Sequence, residues 1–393
     1  MPFFKVVRDI LALLDRRRRA LTLKLIGYIL LWRNRLQEHD GTHLRRILVI
    51  RDDGLGDAIT TLPMLGLLLR KLPAAQIDVL CTVRNAQLLA AINGIGNIWV
   101  IHRRPWDYFV LASRLRRQRY DVILLTVRGQ TSWRALYMHM IAGSHTILVA
   151  SHRGDGYLPY FDINSLLAAT GKNEWERTFF LACDLLKYSP QEEDLTPFFP
   201  RVHFSWDRVC QWLAAHRINH NRYAVVNLSA YQKHNRWGYE QLAEVLSLLR
   251  TTIDMPIVVS GVAEDCRHYS PLLEQLGMKV YPPTDDIHEI AGLVAHSLFV
   301  LTPDTGIVHV ATALRTPLVA LYTANGRNEH EWAPFRHPAA RVIHSEIGKP
   351  LSTIPPDVIV SAVHDLLAQL QVHLNTQDDY LSSSSNGGSS VVR

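Results

Sequence analysis

The chain is poor in cysteine. Four thiols, Cys81, Cys183, Cys210 and Cys266, are scattered over 393 residues. There is no C-x-x-C pair and no Cys/His spacing typical of a zinc module, so the sequence predicts no metal site. Dispersed thiols fit a reducing compartment, with buried thiols as the simplest role. Long apolar runs are also missing. No segment reaches the about 18 uninterrupted apolar residues of a membrane span. The best candidate, "ALTLKLIGYILLW" (20–32), is short and contains Lys24. It follows "DRRRR", but "RNRLQEHDG" comes next where a signal peptide would have a small-residue cleavage site. The dinucleotide fingerprint G-x-G-x-x-G is absent as well. "GLGD" (54–57) runs into Ala58 with no third glycine at the required spacing. That argues against a Rossmann oxidoreductase.

Positive charge is abundant in only one place. The net charge is +6. Residues 1–46 carry eleven Lys/Arg against four Asp/Glu, a balance of +7, so the remaining 347 residues sum to −1. A nearly neutral body does not suit a nucleic-acid groove. The basic arm reads as one or two amphipathic helices over 3–37. Docking on an anionic membrane competes there with packing against the body or serving an oligomer.

From residue 46 apolar β-branched runs alternate with helical spacing. Strands are predicted at 46–50, 76–83, 97–101, 120–127 and 145–150, with helices at 57–72, 86–92, 106–118 and 131–143 between them. Residues 151–200 are less regular. The acidic, proline-containing "SPQEEDLTPFFP" (189–200) reads as an interdomain linker. The alternation then restarts. Strands are predicted at 222–229, 255–261, 279–283, 298–304 and 317–323, and a closing helix at 355–371. Gly277 is a predicted C-cap, and Asp286 with Glu289 resembles a capping box. The pattern predicts two Rossmann-like α/β halves, with ligands at the carboxyl ends of strands in the cleft between them. We therefore divide the chain into an extension (1–44), two α/β domains (45–200 and 201–372) and a polar, disordered tail (373–393).

Four loops could carry chemistry. The first is "ILVIRDDGLGDAITTLP" (47–63). An aspartate at a helix start repels phosphate, so Asp57 is either an N-cap or a general base. Gly54 and Gly56 would let a substrate approach it closely. Asp52 and Asp53 read as turn residues or ion-pair partners. The second is "LTPDTGIVHVATAL" (301–314). Thr305 and Gly306 offer backbone N–H groups at a helix N-terminus, which suits a diphosphate, and His309 could add a donor. The competing reading makes Asp304 an N-cap and His309 an ordinary helix-face residue. The third, "NLSAYQKHNRWGYE" (227–240), places Ser229, Lys233 and Arg236 after a strand end. They are either phosphate contacts or a solvated basic loop. The fourth, "VVSGVAED" (258–265), brings Glu264 and Asp265 after a strand, to hold ribose hydroxyls or to cap a helix on the surface.

In this order the motifs resemble glycosyltransferase family 9, the ADP-heptose:lipopolysaccharide heptosyltransferases. The family's opening strand, "GD" loop and "P-x-L" appear as "ILVIRDDGLGDAITTLPML". Its closing "DTG-x-x-H-x-A-x-A-L-x-x-P" appears as "DTGIVHVATALRTPLVALY". The likeness covers roughly residues 45–370. It implies a GT-B fold, two Rossmann-like domains facing each other across a cleft, and an inverting transfer with no metal and no cofactor beyond the nucleotide sugar. By the resemblance Asp57 is the general base. Thr305, Gly306 and His309 contact the donor diphosphate, Asp304 the donor sugar, Lys233 or Arg236 the leaving nucleotide, and Asp265 the ribose. Ser229 belongs to the same donor set. The donor implied is ADP-heptose and the acceptor a lipopolysaccharide core hydroxyl or a similar surface glycan. The location implied is the cytoplasm, peripheral at the inner face of a bacterial inner membrane. Alternatives are another nucleotide sugar, a protein acceptor, or a non-catalytic sugar-nucleotide-binding or membrane scaffold. In two respects the chain departs from the family: Asn235 stands where a lysine is familiar, two residues before Trp237, and the long basic extension 1–44 is not part of the common pattern.

Overall fold

The computed structural model describes residues 44–385, apart from 103–104, 128–131, 152–160, 166–167, 169–172 and 326–327. The basic helices expected over residues 3–37 lie outside the described residues, as does the rest of the extension 1–44 except Leu44. The chain divides into two compact units between Pro200 and Arg201.

In the first unit the apolar runs form six parallel strands: β1 (Arg46–Arg51), β2 (Gln76–Cys81), β3 (Ile95–Val100), β4 (Val122–Leu125), β5 (Ile147–Ala150) and β6 (Ile163–Asn164). Their order is β3-β2-β1-β4-β5-β6. The second unit repeats the plan with β7 (Ala224–Asn227), β8 (Ile257–Ser260), β9 (Lys279–Val280), β10 (Phe299–Pro303), β11 (Leu318–Tyr322) and β12 (Ala340–His344). Its order, β12-β11-β10-β7-β8-β9, is the same topology read from the other edge. The central strands are buried throughout, as a sheet covered on both faces requires. In both units the strand order reverses beside the first strand, between β1 and β4 and between β7 and β10. Doubly wound sheets bind ligands at such reversals, beyond the carboxyl ends of the strands.

Several local features depart from the expectations. The helix predicted over 57–72 is two helices, Leu55–Thr60 and Leu62–Lys71. Pro63 sits in the first turn of the second helix. Having no N–H, it cannot continue the first helix. The Thr60 and Thr61 hydroxyls both donate to the Asp57 carbonyl, at 2.8 and 2.9 Å, and satisfy the helix end. The helix His203–Ala215 and the strand β12 were not anticipated. β12 is a half-exposed edge strand, so its hydrophobic signal is weak. The closing helix spans Pro356–Ser385, against the expected 355–371. No proline or glycine interrupts the sequence after Pro356 until Gly387. Gly277 does end its helix at φ +61°, with Met278 N–H bonded to the Leu273 carbonyl at 2.9 Å. Asp286 caps its helix through His288 N–H at 2.9 Å, but Glu289 turns to the Tyr281 hydroxyl and Arg208 instead of completing a box. Among the described residues no helix is long and apolar enough to cross a membrane.

Candidate functional site

Each unit places polar side chains at its strand reversal, and the two sets differ in kind. In the first unit β1 is apolar from Ile47 to Ile50 and closes on Arg51, which is fully buried. An unpaired guanidinium there would be very costly, so acids surround it. Arg51 Nε lies 3.2 Å from Asp53 Oδ1, and its Nη2 lies 3.3 Å from Asp57 Oδ1 and 3.4 Å from Glu174 Oε1. Its Nη1 donates to the Thr126 carbonyl at the end of β4, at 2.6 Å. Arg177, one turn after Glu174 on the helix Glu174–Leu186, grips both Glu174 oxygens and also donates to the Thr126 carbonyl at 2.6 Å. Two guanidinium groups thus meet three carboxylates, an excess of one negative charge.

That excess shapes the titration. Burial raises the Asp57 carboxyl above its ordinary value, and Glu174 adds to the rise. Arg51 and the Gly54 N–H oppose it. Burial also pushes Asp53 up to about 7 against the pull of Arg51. For Arg51, burial works against the charge, but Asp53, Asp57 and Glu174 together raise its pKa above the ordinary value. A raised carboxyl is a stronger base once ionised.

Asp57 is not the N-cap. Gly54 is, and Asp57 lies in the first turn, where its Oδ2 accepts the Gly54 N–H at 3.1 Å. Gly54 is needed for space. A Cβ there would sit 2.6 Å from Asp57 Oδ2 and displace the carboxylate. The Asp57 side chain remains 23% exposed, so a substrate can reach it. Gly56 lies half-buried in the same turn. Asp52 and Asp53 are ion-pair partners, Asp52 of Arg134 Nε at 2.9 Å and Asp53 of Arg51.

In the second unit the arrangement is neutral at its centre. Asn227 ends β7 and acts as a hub. Its Nδ2 donates to Thr302 Oγ1 at 3.0 Å and to Thr305 Oγ1 at 3.3 Å, and its Oδ1 accepts the Ser229 N–H at 3.2 Å. Thr305, not Asp304, is the N-cap of the helix Gly306–Leu314, accepting the Ile307 N–H at 3.2 Å. Asp304 accepts instead from Asn235 Nδ2 at 3.1 Å. Asn235 is buried, and its Oδ1 has no hydrogen-bond partner among the described residues. His309 is buried on the first turns of the same helix, its ring edge-on to Trp332 at 5.9 Å.

Ser229 Oγ accepts the Val262 N–H at 2.8 Å and so ties the loop after β7 to the loop after β8. Asp265 is buried in the first turn of the helix Ala263–Gln275, while Glu264 is exposed. Val262 starts that helix without a side-chain cap, so Asp265 does not serve as a surface cap. Lys233 is exposed and open. Arg236 is exposed, with Nε tied to the Ala230 carbonyl at 3.2 Å. Trp237 pins the loop beneath them by donating to the Asn227 carbonyl at 2.9 Å.

The structure thus gathers Ser229, Asp304, Thr305, Gly306 and the loop bearing Lys233 and Arg236 at one strand reversal, and Gly54, Gly56 and Asp57 at the other. The sequence reasoning missed Arg51, Glu174, Arg177, Asn227 and Asn235. Their available signal was a polar residue closing an apolar strand, "RILVIR" and "AVVN", and an acid–base pair three apart on an otherwise apolar helix, "EWERTFF".

Two doubly wound units of this kind make up a GT-B glycosyltransferase fold, and solved structures share it. The family 9 glycosyl transferase of Veillonella parvula superposes with a TM-score of 0.70 at 18% identity, covering 85% of this chain and 99% of that one. Escherichia coli heptosyltransferase WaaC, solved with ADP-2-deoxy-2-fluoro heptose, gives 0.63 at 18% identity, covering 81% and 99%. In sequence, lipopolysaccharide heptosyltransferase 3 of Escherichia coli is 23% identical over 344 residues, 79% of this chain and 96% of that protein. Residues 108–350 match the sequence model of glycosyltransferase family 9 (heptosyltransferase). The chain belongs to that family and is a glycosyltransferase.

Proposed function

We propose that this enzyme moves a heptose or related sugar from an ADP-sugar to a hydroxyl of the lipopolysaccharide core or a similar surface glycan, with inversion and without a metal in the chemical step. The observation that carries the reading is Asp57. It is a partly exposed carboxylate at a strand reversal, raised in pKa by burial and held by Arg51 and the Gly54 N–H. The name of the curated relative and the ligand of the WaaC structure support the substrates.

In this reading Asp57 accepts the proton of the acceptor hydroxyl. The oxygen attacks the anomeric carbon from the face opposite the leaving group. The bond from that carbon to the diphosphate oxygen breaks, and the nucleotide diphosphate departs with the electron pair. The charge it develops is met by the N–H groups of Thr305 and Gly306, by His309 and by Lys233 or Arg236. A helix N-terminus and cations supply the charge sink that a metal supplies in other transferases. Asp304, oriented by Asn235, contacts the sugar, and Asp265 holds the ribose. Residues 1–44 dock the enzyme on the anionic inner face of the membrane, near its acceptor.

The test separates chemistry from binding. In Asp57→Asn, transfer from ADP-heptose falls about 10²–10⁴-fold, while calorimetry shows donor affinity unchanged. Full transfer by the variant would remove Asp57 as the base. A thermal-shift series of nucleotide diphosphates and nucleotide sugars that favours uridine over adenine would overturn the donor. Liposome co-sedimentation with and without residues 1–44 tests the docking, and equal binding by both would sink it.

A further inference from the structure

Away from the residues assigned to transfer, the second unit assembles a set of side chains that no role above explains. Cys210 lies on the helix His203–Ala215, His220 in the connection before β7, and His296 at the C-cap of the helix Ile287–Ala295. One ligating atom from each lies within 4.8 Å of the other two. Cys210 Sγ is 3.7 Å from His296 Nε2. With zinc–sulfur and zinc–nitrogen bonds of about 2.3 and 2.05 Å, a tetrahedral centre separates S and N by about 3.6 Å. The observed distance fits that edge. The His220 and His296 rings meet edge-on at 4.4 Å between centroids.

The surroundings hold these three groups in place. Asn221 N–H, next to His220, donates to the His296 carbonyl at 2.7 Å, so the two histidines are linked through the backbone. The helices bearing Cys210 and His296 pack closely: a Cβ on Gly292 would sit 3.1–3.3 Å from Trp206, including its Cα. Trp206 also packs edge-on against His296 at 5.5 Å. Cys210 and His296 are half-buried and His220 is exposed, which gives a cation a route in from solvent. A Cys210–His296 hydrogen bond would account for that pair alone.

We propose that Cys210, His220 and His296 form a metal site for a divalent zinc-class cation, with an open fourth coordination position. One thiolate and two imidazoles form a borderline-soft donor set, which favours zinc over magnesium or calcium. The reading stands independently of the transfer mechanism. The sequence conceals the site because His220 follows Cys210 by ten residues and His296 by 86.

The test uses the full-length, untagged chain, stripped with chelator and kept reduced. Titration with Co²⁺ should give a near-ultraviolet thiolate-to-cobalt band and intense tetrahedral bands in the visible, saturating at about one equivalent. Zn²⁺ should displace it at the same stoichiometry. Cys210→Ser should abolish the thiolate band, and His220→Ala, an exposed position safe for folding, should weaken Co²⁺ affinity at least about tenfold. One equivalent of Zn²⁺ should raise the melting temperature of the wild type and not of His220→Ala. A thiolate band that survives in Cys210→Ser, binding far below one equivalent, or equal affinity in wild type and His220→Ala would each overturn the proposal.

Discussion

The two units share one strand order and use it for opposite electrostatic purposes. At the first reversal, β1 ends in a buried arginine and the loop supplies acids around it. At the second, β7 ends in a buried asparagine, and hydroxyls and amides fill the place of charges. The first arrangement sets the basicity and position of a carboxylate. The second places a helix N-terminus beside a loop with two exposed cations, Lys233 and Arg236. The topology is common to both units, and the residue closing the first strand of each sheet, Arg51 or Asn227, sets which polar groups gather beside it.

That contrast can be broken in three places. The largest effect is expected at Arg51. Arg51→Met leaves the buried Glu174 and the partly exposed Asp53 and Asp57 without their shared cation, and should cost about 3–5 kcal/mol by urea unfolding. A loss under about 1 kcal/mol would mean that the charged cluster is not what holds the first unit together. A smaller effect concerns pH. Asp57 must be ionised to take a proton, so kcat/KM should fall as pH drops below its raised value. Glu174→Gln removes a negative neighbour that favours the protonated form. The acid limb should therefore move to lower pH. An upward shift would contradict the sign of that interaction. The smallest effect is expected in the second unit. Asn235→Ala removes the amide that donates to Asp304 and should weaken donor binding about tenfold, roughly 1–1.5 kcal/mol, without moving the acid limb. If the limb did move, the division of labour between the two units would fail.

Much of the fold was legible because central parallel strands, buried on both faces, are continuous apolar runs; ten of the twelve strands among the described residues were anticipated, the edge strands β3 and β9 among them. The two missed, β6 and β12, are sheet edges, one of two residues and one half-exposed. The broken helix had its signal in Pro63, which the apolar periodicity of 57–72 masked. The site loops were legible because glycines, acids and threonines cluster at strand ends. Their internal assignments were not. Thr305 caps where Asp304 was considered, and Asn235, noted only as a departure from the familiar lysine, holds Asp304.

By itself the sequence determined the two α/β halves, the family and the loops that face the chemistry. These depend on local periodicity and on short motifs whose residues are neighbours in the chain. Only the tertiary structure decided which charges meet. Arg51 and Glu174 are 123 residues apart, Asn235 and Asp304 are 69, and Cys210 and His296 are 86. An ion pair or a ligand set depends on distances of a few ångströms, and at such separations those distances are fixed by how the helices pack on the sheet.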